Sequence, residues 1–444
     1  MFFSARRSWL DALYDRSYRM QMGEVHLPGL DLYMVNASEL VDEVLVTRAA
    51  DFPKSPLLGD ALRPLLGDSI FTTNGPVWQR QRDMMAPAFA QARLSVAFPT
   101  MRAAATDMLA RLSTVPDRSE HDVEVEMTHV TADIIFRTIF STPMESPEAR
   151  RVFEAFARFQ SLAPRLMLPS VYGLRWLVWP WDRWRSHSAA REIRQLLERL
   201  IRPRHEAFLA GRSTGTVDIL EAFLEARDSS GKPFEFDELV DQVAMLFLAG
   251  HETSASALTW ALHLLAHAPD IQERMVAEVQ QQLGDREFEV NDMKQLTLTW
   301  NVFREALRLF PPVGFIARQA ASACPMRDKQ VPEGATVIVS PWLIHRHRQL
   351  WHSPDEFDPD RYSREETRES MRHAFLPFGK GPRVCMGAAF ALQEASVILA
   401  SLVRHYRLVP VSGHVPQPVG RLTIRSANGV RLELHRRVEQ EQKP

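Results

Sequence analysis

The sequence predicts a mainly α-helical protein with a small β part, an α+β fold that contains one long central helix. Three observations predict it. Apolar residues recur at helical spacing over most of the 444 residues, strand-like runs are few and short, and no repeat or Gly/Ser-rich linker divides the chain. Because nothing marks a domain boundary, we expect one domain, 1–444, with an ordered core from residue 20 to residue 438.

The elements follow one another in a simple order. Residues 25–35 alternate apolar and polar side chains, which indicates a small amount of sheet, and a helix follows up to residue 49. Helical spacing then predicts helices at 78–112, 129–140, 148–162, 189–209 and 237–267. Strand-like segments return at 336–339, 407–411 and 430–435. The proline-dense stretches 309–334 and 353–382 interleave aromatic and apolar residues, so we expect both to be ordered.

Composition excludes several classes of protein. The chain has 53 basic and 55 acidic residues and a net charge of −2, which argues against nucleic-acid binding through phosphate neutralisation. Two cysteines are too few for a disulfide scaffold and favour a reducing compartment, so we expect a cytoplasmic protein. The N-terminus shows neither the apolar region of a signal peptide nor a stretch of about 20 apolar residues, so we expect no transmembrane segment.

The strongest chemical signal is the segment FGKGPRVCMG, residues 378–387, which precedes a predicted helix of several turns. Cys385 therefore lies on a loop at a helix start, where backbone N–H groups, the positive helix end and Arg383 all favour a charged sulfur. Gly381 and Gly387 have no Cβ, which allows a sharp turn and the close approach of a flat macrocycle. A buried thiol in a glycine-rich turn is the alternative for a lone cysteine.

The spacing of Phe378, Gly381, Arg383, Cys385 and Gly387 resembles the haem-binding loop of the cytochrome P-450 family. Three further family motifs occur in the expected order, so the resemblance extends over nearly the whole chain. It implies the fold of that family, with a long helix over a haem b whose iron is bound by Cys385. It also implies a monooxygenase that uses dioxygen and inserts one oxygen atom into a C–H bond.

The segment AGHET, residues 249–253, lies inside the long predicted helix and looks like the oxygen-activation motif of this family. The chemistry needs a hydroxyl and a carboxylate within hydrogen-bond reach of bound dioxygen. The resemblance makes Thr253 the group that steadies the oxygen, Glu252 the proton relay and Gly250 the position that leaves room. Without the Cys385 loop, this short motif would carry little information.

Glu305 and Arg308 are three residues apart on a predicted helix that Pro311 ends, so they can pair on one face. Most such pairs are solvated and contribute under about 1 kcal/mol. In the family resembled, however, this pair joins an arginine of the later meander in a buried network, and Arg361 matches that third member. We therefore expect the three side chains to support the loop of Cys385.

Trp78 and Arg82 lie four residues apart on one helix face and resemble the family's helix that binds the haem propionates. Arg318 and Arg383 match two further propionate contacts. A solvated amphipathic helix remains the alternative for Trp78 and Arg82 taken alone. The role of His345, in a stretch that is also familiar from the family, stays open.

No GxGxxG motif follows a strand and no flavin or nicotinamide module is fused, so we expect electrons to come from NAD(P)H through separate proteins. A ferredoxin or flavodoxin with its reductase is the expected donor. Arg80, Arg82, Lys380 and Arg404 flank the haem-binding elements by resemblance and could form a local basic face for it. We expect the protein itself to be a monomer.

Segments that the resemblance places near the haem are almost all apolar, which suits an aliphatic or terpenoid substrate. The candidate pocket residues are Arg63, Phe71, Ala249, Val313, Phe315 and Ile316. The sequence is more similar to the branch with fatty-acid and alkane hydroxylases, so we favour a medium- or long-chain fatty acid. Arg63 is then either a carboxylate anchor or an exposed loop arginine. A terpenoid, a steroid or another secondary metabolite is the alternative substrate.

Other classes of haem protein make different demands on the sequence. A peroxygenase usually lacks an acid and hydroxyl pair, so Glu252 and Thr253 speak against it. A haem sensor or electron carrier would need neither an apolar channel nor a proton relay. A helical protein without haem would require all four motifs to coincide by accident.

The most aromatic stretch of the chain runs from Leu166 to Trp184 and is broken by Pro169 and Pro180. It is too short between charges to span a membrane. Three interpretations stay open: an entrance lid, an interfacial patch in peripheral contact with a membrane, and a loop packed on the core.

Overall fold

The structure is a computed structural model that describes residues 8–27, 29–171, 180–212, 215–284 and 286–437. Within its helices, the side chains of 57–58, 91–94, 163–171 and 180 are not described. Much of the aromatic segment 166–184, whose role the sequence leaves open, therefore lies outside the described residues.

Helices dominate the described chain, which confirms the predicted fold class. The helices are α1 Ser38–Asp42, α2 Pro56–Leu66, α3 Gly75–Met85, α4 Gln91–Ser113, α5 Val123–Phe140, α6 Pro147–Val171, α7 Pro180–Leu209, α8 Ile219–Glu225, α9 Phe236–Ala266, α10 Pro269–Leu283, α11 Thr297–Leu309, α12 Pro341–Ile344, α13 Thr367–Ala374 and α14 Ala388–His405. Short single turns at Trp9–Ala12 and Asp15–Tyr18 precede them, and further turns lie between them.

The strands form small separate sheets. They are β1 Met22–Leu27, β2 Leu30–Val35, β3 Glu120–Asp122, β4 Ile316–Gln319, β5 Cys324–Met326, β6 Lys329–Val331, β7 Thr336–Val339, β8 Tyr406–Pro410, β9 Pro418–Gly420, β10 Ile424–Ser426 and β11 Arg431–Arg436. The largest sheet has the order β1-β2-β7-β4, with β2 and β7 parallel. A second sheet has the order β3-β11-β8, and β5/β6 and β9/β10 are hairpins.

The prediction of one helix over 78–112 is wrong, because the structure divides this segment into α3 and α4. Pro87 lies in a short turn between them and cannot donate a backbone hydrogen bond. Ala90 then adopts an extended backbone conformation, with φ −63° and ψ 150°, before α4 begins. The N-terminal boundary also differs from the expected residue 20, because Trp9 already packs edge-to-face against Phe315 at 5.3 Å.

Helix α9 forms the centre of the helical core and packs along α5. Asp237 and Glu238 stand in its first turn, where negative side chains interact favourably with the helix dipole. A Cβ on Gly250 would lie 2.8 Å from Cγ1 of Ile135, so this glycine permits the close approach of α5. The side of Gly250 on which a Cβ would stand therefore faces Ile135.

Two features of the surface bear on membrane contact. Among the described residues, no helix is both long enough and apolar enough to cross a lipid bilayer. Trp181 and Trp184 are exposed at the start of α7, and their rings stack with centroids 5.1 Å apart.

The loop that carries Cys385 is fixed by its glycines on one side and by α14 on the other. Gly379 and Gly381 have φ values of +74° and +75°, in the left-handed region where a side chain is strained. A Cβ on Gly381 would also overlap the carbonyl oxygen of Leu45. Gly387 has φ −82°, so the left-handed backbone conformation in this loop occurs at Gly379 and Gly381 and not at Gly387.

We expect Gly381→Ala to destabilise the protein more than Gly413→Ala. Gly413 has the same φ of +75° but has no atom within 4 Å of a Cβ, so its substitution should cost only the left-handed strain, about 1–2 kcal/mol. Gly381→Ala should add about 1–3 kcal/mol, because the chain of Leu45 must also move. Urea unfolding of both variants measures the difference, and equal midpoints would contradict the overlap.

Candidate active site

Cys385 lies between the turn Gly381–Arg383 and the first residue of α14. Its backbone N–H donates to the carbonyl oxygen of Phe378 at 2.9 Å, which closes the loop. The side chain is accessible to solvent, yet the surrounding protein is dense enough to raise the pKa of the thiol by burial. An accessible sulfur within dense protein can bind a ligand from its open side.

The electrostatics of this sulfur differ from the expectation. Burial raises the pKa of the Cys385 thiol, and the Gly387 N–H and the charge of Arg82 only partly offset this. Arg82, and not Arg383, is therefore the cation that acts on the sulfur. A bound metal ion deprotonates a coordinating thiol by itself, so a ligand role does not require a free thiolate beforehand.

Two of the predicted propionate-binding side chains meet beside the loop. Trp78 is buried on α3, and the guanidinium of Arg383 lies over its ring at 4.4 Å. Arg82, one turn further along α3, donates from Nη1 to the carbonyl oxygen of Val384 at 2.9 Å. Helix α3 is thus joined directly to the residues that flank Cys385.

Arg318 lies beside a further basic residue, Lys54, which sequence patterns do not identify. Arg318 is buried on β4 and forms an isolated antiparallel bridge with Lys54. The Lys54 ammonium donates to the carbonyl oxygen of Ile70 and lies 6.0 Å from the Phe71 ring. Lys54 precedes α2 in a short segment without a recognisable motif, so sequence patterns do not reveal its role.

We call the four basic side chains Lys54, Arg82, Arg318 and Arg383 the cation cluster. Burial, and then the charges of Arg383, Arg318 and Arg82 in that order of effect, together lower the pKa of Lys54 to about 6. Burial, and then Arg383, lowers the pKa of Arg318 to about 10. Nη1 of Arg383 is buried without a hydrogen-bond partner.

Within the described part of the chain, no carboxylate forms a salt bridge with a member of the cation cluster. Buried cations are stable only when an anion or strong acceptors compensate them. The two carboxylates of a haem would supply such a compensation, so the residues present fit this group.

Helix α9 presents a narrow accessible face. Ala249 is exposed and Gly250 and Thr253 are partly exposed, whereas the residues from Leu239 to Leu248 and the pair His251–Glu252 are buried. The Thr253 hydroxyl donates to the carbonyl oxygen of Ala249 at 2.7 Å. Within this motif the Thr253 residue is thus partly exposed, whereas Glu252 is buried.

Glu252 is held by three other elements. Arg425 of β10 donates to both of its oxygens, at 2.6 and 3.1 Å, Thr423 donates at 2.7 Å, and Gln160 of α6 donates at 2.7 Å. Burial raises the pKa of Glu252, but Arg425, His251 and Thr423 together outweigh it, and the pKa falls to about 2. In this arrangement Glu252 holds no proton at neutral pH. Neither Arg425 nor Gln160 stands in a recognisable motif, so sequence patterns do not identify them as partners of Glu252.

Glu305, Arg308 and Arg361 are brought together and are all buried. Glu305 accepts two hydrogen bonds from Arg308, at 2.8 and 2.9 Å, and one from Arg361 at 2.8 Å. The Tyr362 hydroxyl and the Asp358 N–H also donate to this carboxylate, at 2.9 and 3.1 Å. One carboxylate thus faces two guanidinium groups, whose other N–H groups donate to backbone carbonyl oxygens.

His345 connects this network to the loop of Cys385. Its Nδ1 lies 3.2 Å from the carbonyl oxygen of Arg308, and its Nε2 accepts from the N–H of Leu376 at 2.7 Å. Burial and the charge of Arg308 lower the pKa of His345 to about 3, so the imidazole is neutral. A neutral ring that donates to Arg308 and accepts from Leu376 fits both contacts.

The candidate pocket residues do not share one environment. Phe71 and Val313 are exposed apolar side chains, and Ile316 lies partly buried on β4. Phe315 packs against Trp9. Arg63 belongs to the last turn of α2 and not to a loop, and it is half-exposed and paired with Asp68.

The proposed basic face is partly neutralised. Arg80 pairs with Glu238 at 2.6 Å, and Lys380 pairs with Asp42. These two side chains therefore have structural partners of their own.

An accessible sulfur and a cation cluster that lacks counter-charges meet the two requirements of a haem, which needs an iron ligand and a site for its carboxylates. The class of protein is accordingly a haem-thiolate oxidoreductase. Residues 9–428 match the family model described as "Cytochrome P450". The chain belongs to the cytochrome P450 family, whose members use haem and oxygen with a supply of electrons, and it is a monooxygenase.

Two relatives and one solved structure illustrate the similarity. Cyclooctatin synthase of Streptomyces melanosporofaciens is 33% identical over 396 residues, which cover 89% of this chain and 84% of that protein. Leukotriene-B4 omega-hydroxylase 3 of Mus musculus is 28% identical over 439 residues, 95% of this chain and 83% of that protein. The crystal structure of the cytochrome P450DA heme domain superposes with a TM-score of 0.82 at 24% identity and covers 94% of this chain and 90% of that one.

We expect Glu305→Ala to lower haem content and to destabilise the protein by roughly 3–5 kcal/mol, because Arg308 and Arg361 would be left as unpaired buried cations. The haem-to-protein absorbance ratio and thermal unfolding measure this. Asp360→Ala is the matched control, since Asp360 forms an exposed pair with Arg274 and should change stability by under about 1 kcal/mol. Full haem content in Glu305→Ala would contradict the supporting role.

We expect Arg318→Met to release haem roughly tenfold faster, because a buried charged hydrogen-bond donor to a carboxylate is worth about 1.5–3 kcal/mol. Transfer of haem to excess apomyoglobin, followed by absorbance, gives the rate. Arg431→Met removes an exposed arginine that pairs with Glu120 and should leave the rate unchanged. Equal rates in the two variants would remove Arg318 from the haem-binding residues.

Proposed function

We propose that this monooxygenase hydroxylates a C–H bond of an apolar substrate, with a haem b that Cys385 binds through its sulfur. The observation that carries the proposal is the accessible Cys385 sulfur near a cation cluster without counter-charge. A haem held by a thiolate supplies the chemistry that cleaves dioxygen and inserts one of its atoms into a C–H bond. Lys54, Arg82, Arg318 and Arg383 would bind the haem carboxylates.

The residues of α9 would handle oxygen and protons. Thr253 lies on the accessible face, and its hydroxyl can turn from the carbonyl oxygen of Ala249 towards a ligand on the open side. Glu252 would relay protons after Arg425 withdraws, because the ion pair keeps this carboxylate unprotonated. Ala249, next to Gly250 on the same face, would contact the substrate.

A medium- or long-chain fatty acid is the first candidate substrate. The apolar character of Phe71, Val313 and Ile316 suits an aliphatic chain, and the name of one relative is that of a leukotriene-B4 omega-hydroxylase. A fatty acid would bind chiefly through its chain, because Arg63 already has Asp68 as its partner.

A terpenoid is the second candidate, and the pairing of Arg63 favours it. Because Arg63 is half-exposed and already paired with Asp68, it would bind a substrate carboxylate only weakly. This favours an uncharged substrate. The relatives do not decide between the two classes, since one is named for cyclooctatin and another for leukotriene B4.

Electrons from NAD(P)H would reach the haem through a ferredoxin or flavodoxin and its reductase. Arg82 contacts the backbone next to Cys385, so the face that includes α3 and this loop is the natural docking area. The net charge of −2 leaves the basic character of that area local.

Spectra of the purified protein test the proposal. The reduced protein with carbon monoxide should show the strongly red-shifted band of thiolate-bound haem, and Cys385→Ser should lose it. Titration of the ferric protein with fatty acids, their methyl esters and terpenoids should then shift the haem from low to high spin. Hydroxylated product should form once a surrogate ferredoxin system is added.

The variants Arg63→Ala and Ala249→Leu separate the substrate classes. We expect Arg63→Ala to bind fatty acids within about twofold of the wild type, and Ala249→Leu to weaken every ligand about tenfold by filling the accessible face, at a cost of about 1.4 kcal/mol. A loss of fatty-acid affinity alone in Arg63→Ala would establish a carboxylate anchor. A spin shift with terpenoids only would discard the fatty acid, and the absence of the red-shifted band would refute haem-thiolate ligation.

A further inference from the structure

Trp9 lies on the short turn Trp9–Ala12, and its indole occupies a slot between two glycines that are far apart in the sequence. A Cβ on Gly314 would overlap this ring, and so would a Cβ on Gly420. Neither glycine has a positive φ, so the backbone conformation alone does not require glycine at these positions. The indole of Trp9 is therefore what excludes a side chain at both.

The turn is attached to the segments on both sides of this slot. The Ser8 hydroxyl oxygen, which is buried, accepts from the N–H of Leu10 at 3.2 Å and from the N–H of Gly420 at 2.8 Å. The Trp9 ring packs edge-to-face against Phe315, with centroids 5.3 Å apart. Because aromatic rings prefer such an arrangement, the contact fixes the orientation of Phe315.

The first of these segments, 313–316, leads from the slot to the loop of Cys385. Ile316 is the next residue after Phe315, and its Cδ1 lies 3.8 Å from the position of a Cβ on Gly379, within that loop. The strand that Ile316 begins, β4, also carries one arginine of the cation cluster. A displacement of Phe315 would therefore displace an apolar side chain next to the cysteine loop.

The second segment, 420–424, leads from the slot to α9. The Thr423 hydroxyl donates to Glu252 of the AGHET motif at 2.7 Å. The N–H of Ile424 donates to the carbonyl oxygen of Pro312 at 3.0 Å, so this segment also borders the first one. Together the two segments, which we call the wall segments, flank the space between the cysteine loop and the accessible face of α9.

We propose that Trp9 is a positioning residue that limits the size of the substrate this monooxygenase accepts. Its indole keeps the wall segments in place from the side opposite the substrate. If the ring is truncated, Phe315 and Ile424 can relax into the vacated slot, and the space next to the haem grows. The inference rests on the proposed function, to which it adds a specificity-determining residue that lies outside every motif of the chain.

Imidazoles that carry an unbranched alkyl chain, from butyl to dodecyl, measure this space without catalysis, because the ring binds the haem iron and the chain extends into the pocket. We expect Trp9→Ala to raise the affinity for the longest chain relative to the shortest on the order of tenfold, the effect of about one methylene in an apolar pocket. Trp9→Phe keeps an aromatic ring against Phe315 and should retain most of the wild-type preference. Absorbance titration of the ferric holoprotein gives each affinity.

The variant Gly420→Ala tests the slot while Trp9 is still present. The added methyl group should displace the indole and change the chain-length preference. In the double variant with Trp9→Ala the ring is absent, so the methyl group should change nothing further, as residues in contact act non-additively. Met275→Ala is the control for lost stability alone, because Met275 of α10 is fully buried in the helical core and outside the cluster that includes Trp9. It should keep the wild-type preference.

The outcomes separate this inference from the proposed function. The inference is overturned if Trp9→Ala keeps the wild-type preference, if Met275→Ala changes it as much, or if Gly420→Ala has the same effect with and without the indole. In each of these cases an intact carbon monoxide band and hydroxylated product leave the proposed function standing. If Trp9→Ala does not yield holoprotein, Trp9→Phe and Gly420→Ala decide the question, and an unchanged preference in both rejects the inference. Absence of the carbon monoxide band from the wild type would remove both proposals.

Discussion

The buried carboxylate of Glu305 is the point on which the position of Cys385 depends. Arg308, bound to this carboxylate, also donates to three backbone carbonyl oxygens, of His345, Pro354 and Glu356. His345 then accepts from Leu376, two residues before Phe378, whose carbonyl oxygen closes the cysteine loop. Hydrogen bonds and a short stretch of backbone thus connect the Glu305 network to the loop of Cys385. Because Glu305, Arg308, His345 and Leu376 are buried, their hydrogen bonds cannot be exchanged for bonds to water without cost.

The cation cluster places the opposite demand on the fold. In the Glu305 network a carboxylate pairs with the buried arginines. In the cation cluster, by contrast, no described carboxylate pairs with Lys54, Arg82, Arg318 or Arg383. Burial, and after it the neighbouring like charges, disfavour the charged form of Lys54, whose pKa is therefore lowered to about 6. The cluster therefore makes sense only together with an anionic partner, and the binding of that partner stabilises the folded chain by linkage. One ion network supports the loop of Cys385, and the other would bind the carboxylates of the haem that we propose for this loop.

Local patterns in the sequence carried much of the fold and part of the site. Long helices such as α9 were predicted because their apolar spacing is a local signal, and the loop before α14 because its residues are contiguous. The three-residue strands β3, β5, β6, β9 and β10 were missed, since such short strands exist only through their partners and have no pattern of their own. Lys54 escaped detection for the same reason: its role arises from Arg318, far away in the sequence.

Two buried carboxyl groups show that a motif alone does not determine protonation. One is Glu252, which precedes Thr253, and the other is Glu394 of α14, which contacts the hydroxyl of Ser254. The motif puts Glu252 in place, but Arg425, 173 residues further along the chain, determines that it is ionised. Glu394 has no charged partner, and burial alone determines that it is neutral. A carboxyl group donates a proton at neutral pH only if its surroundings keep one on it, and identical side chains differ here because one faces a cation and the other an alcohol. The protonation state of a buried carboxyl group is therefore determined by its tertiary partners and not by the motif in which the residue stands.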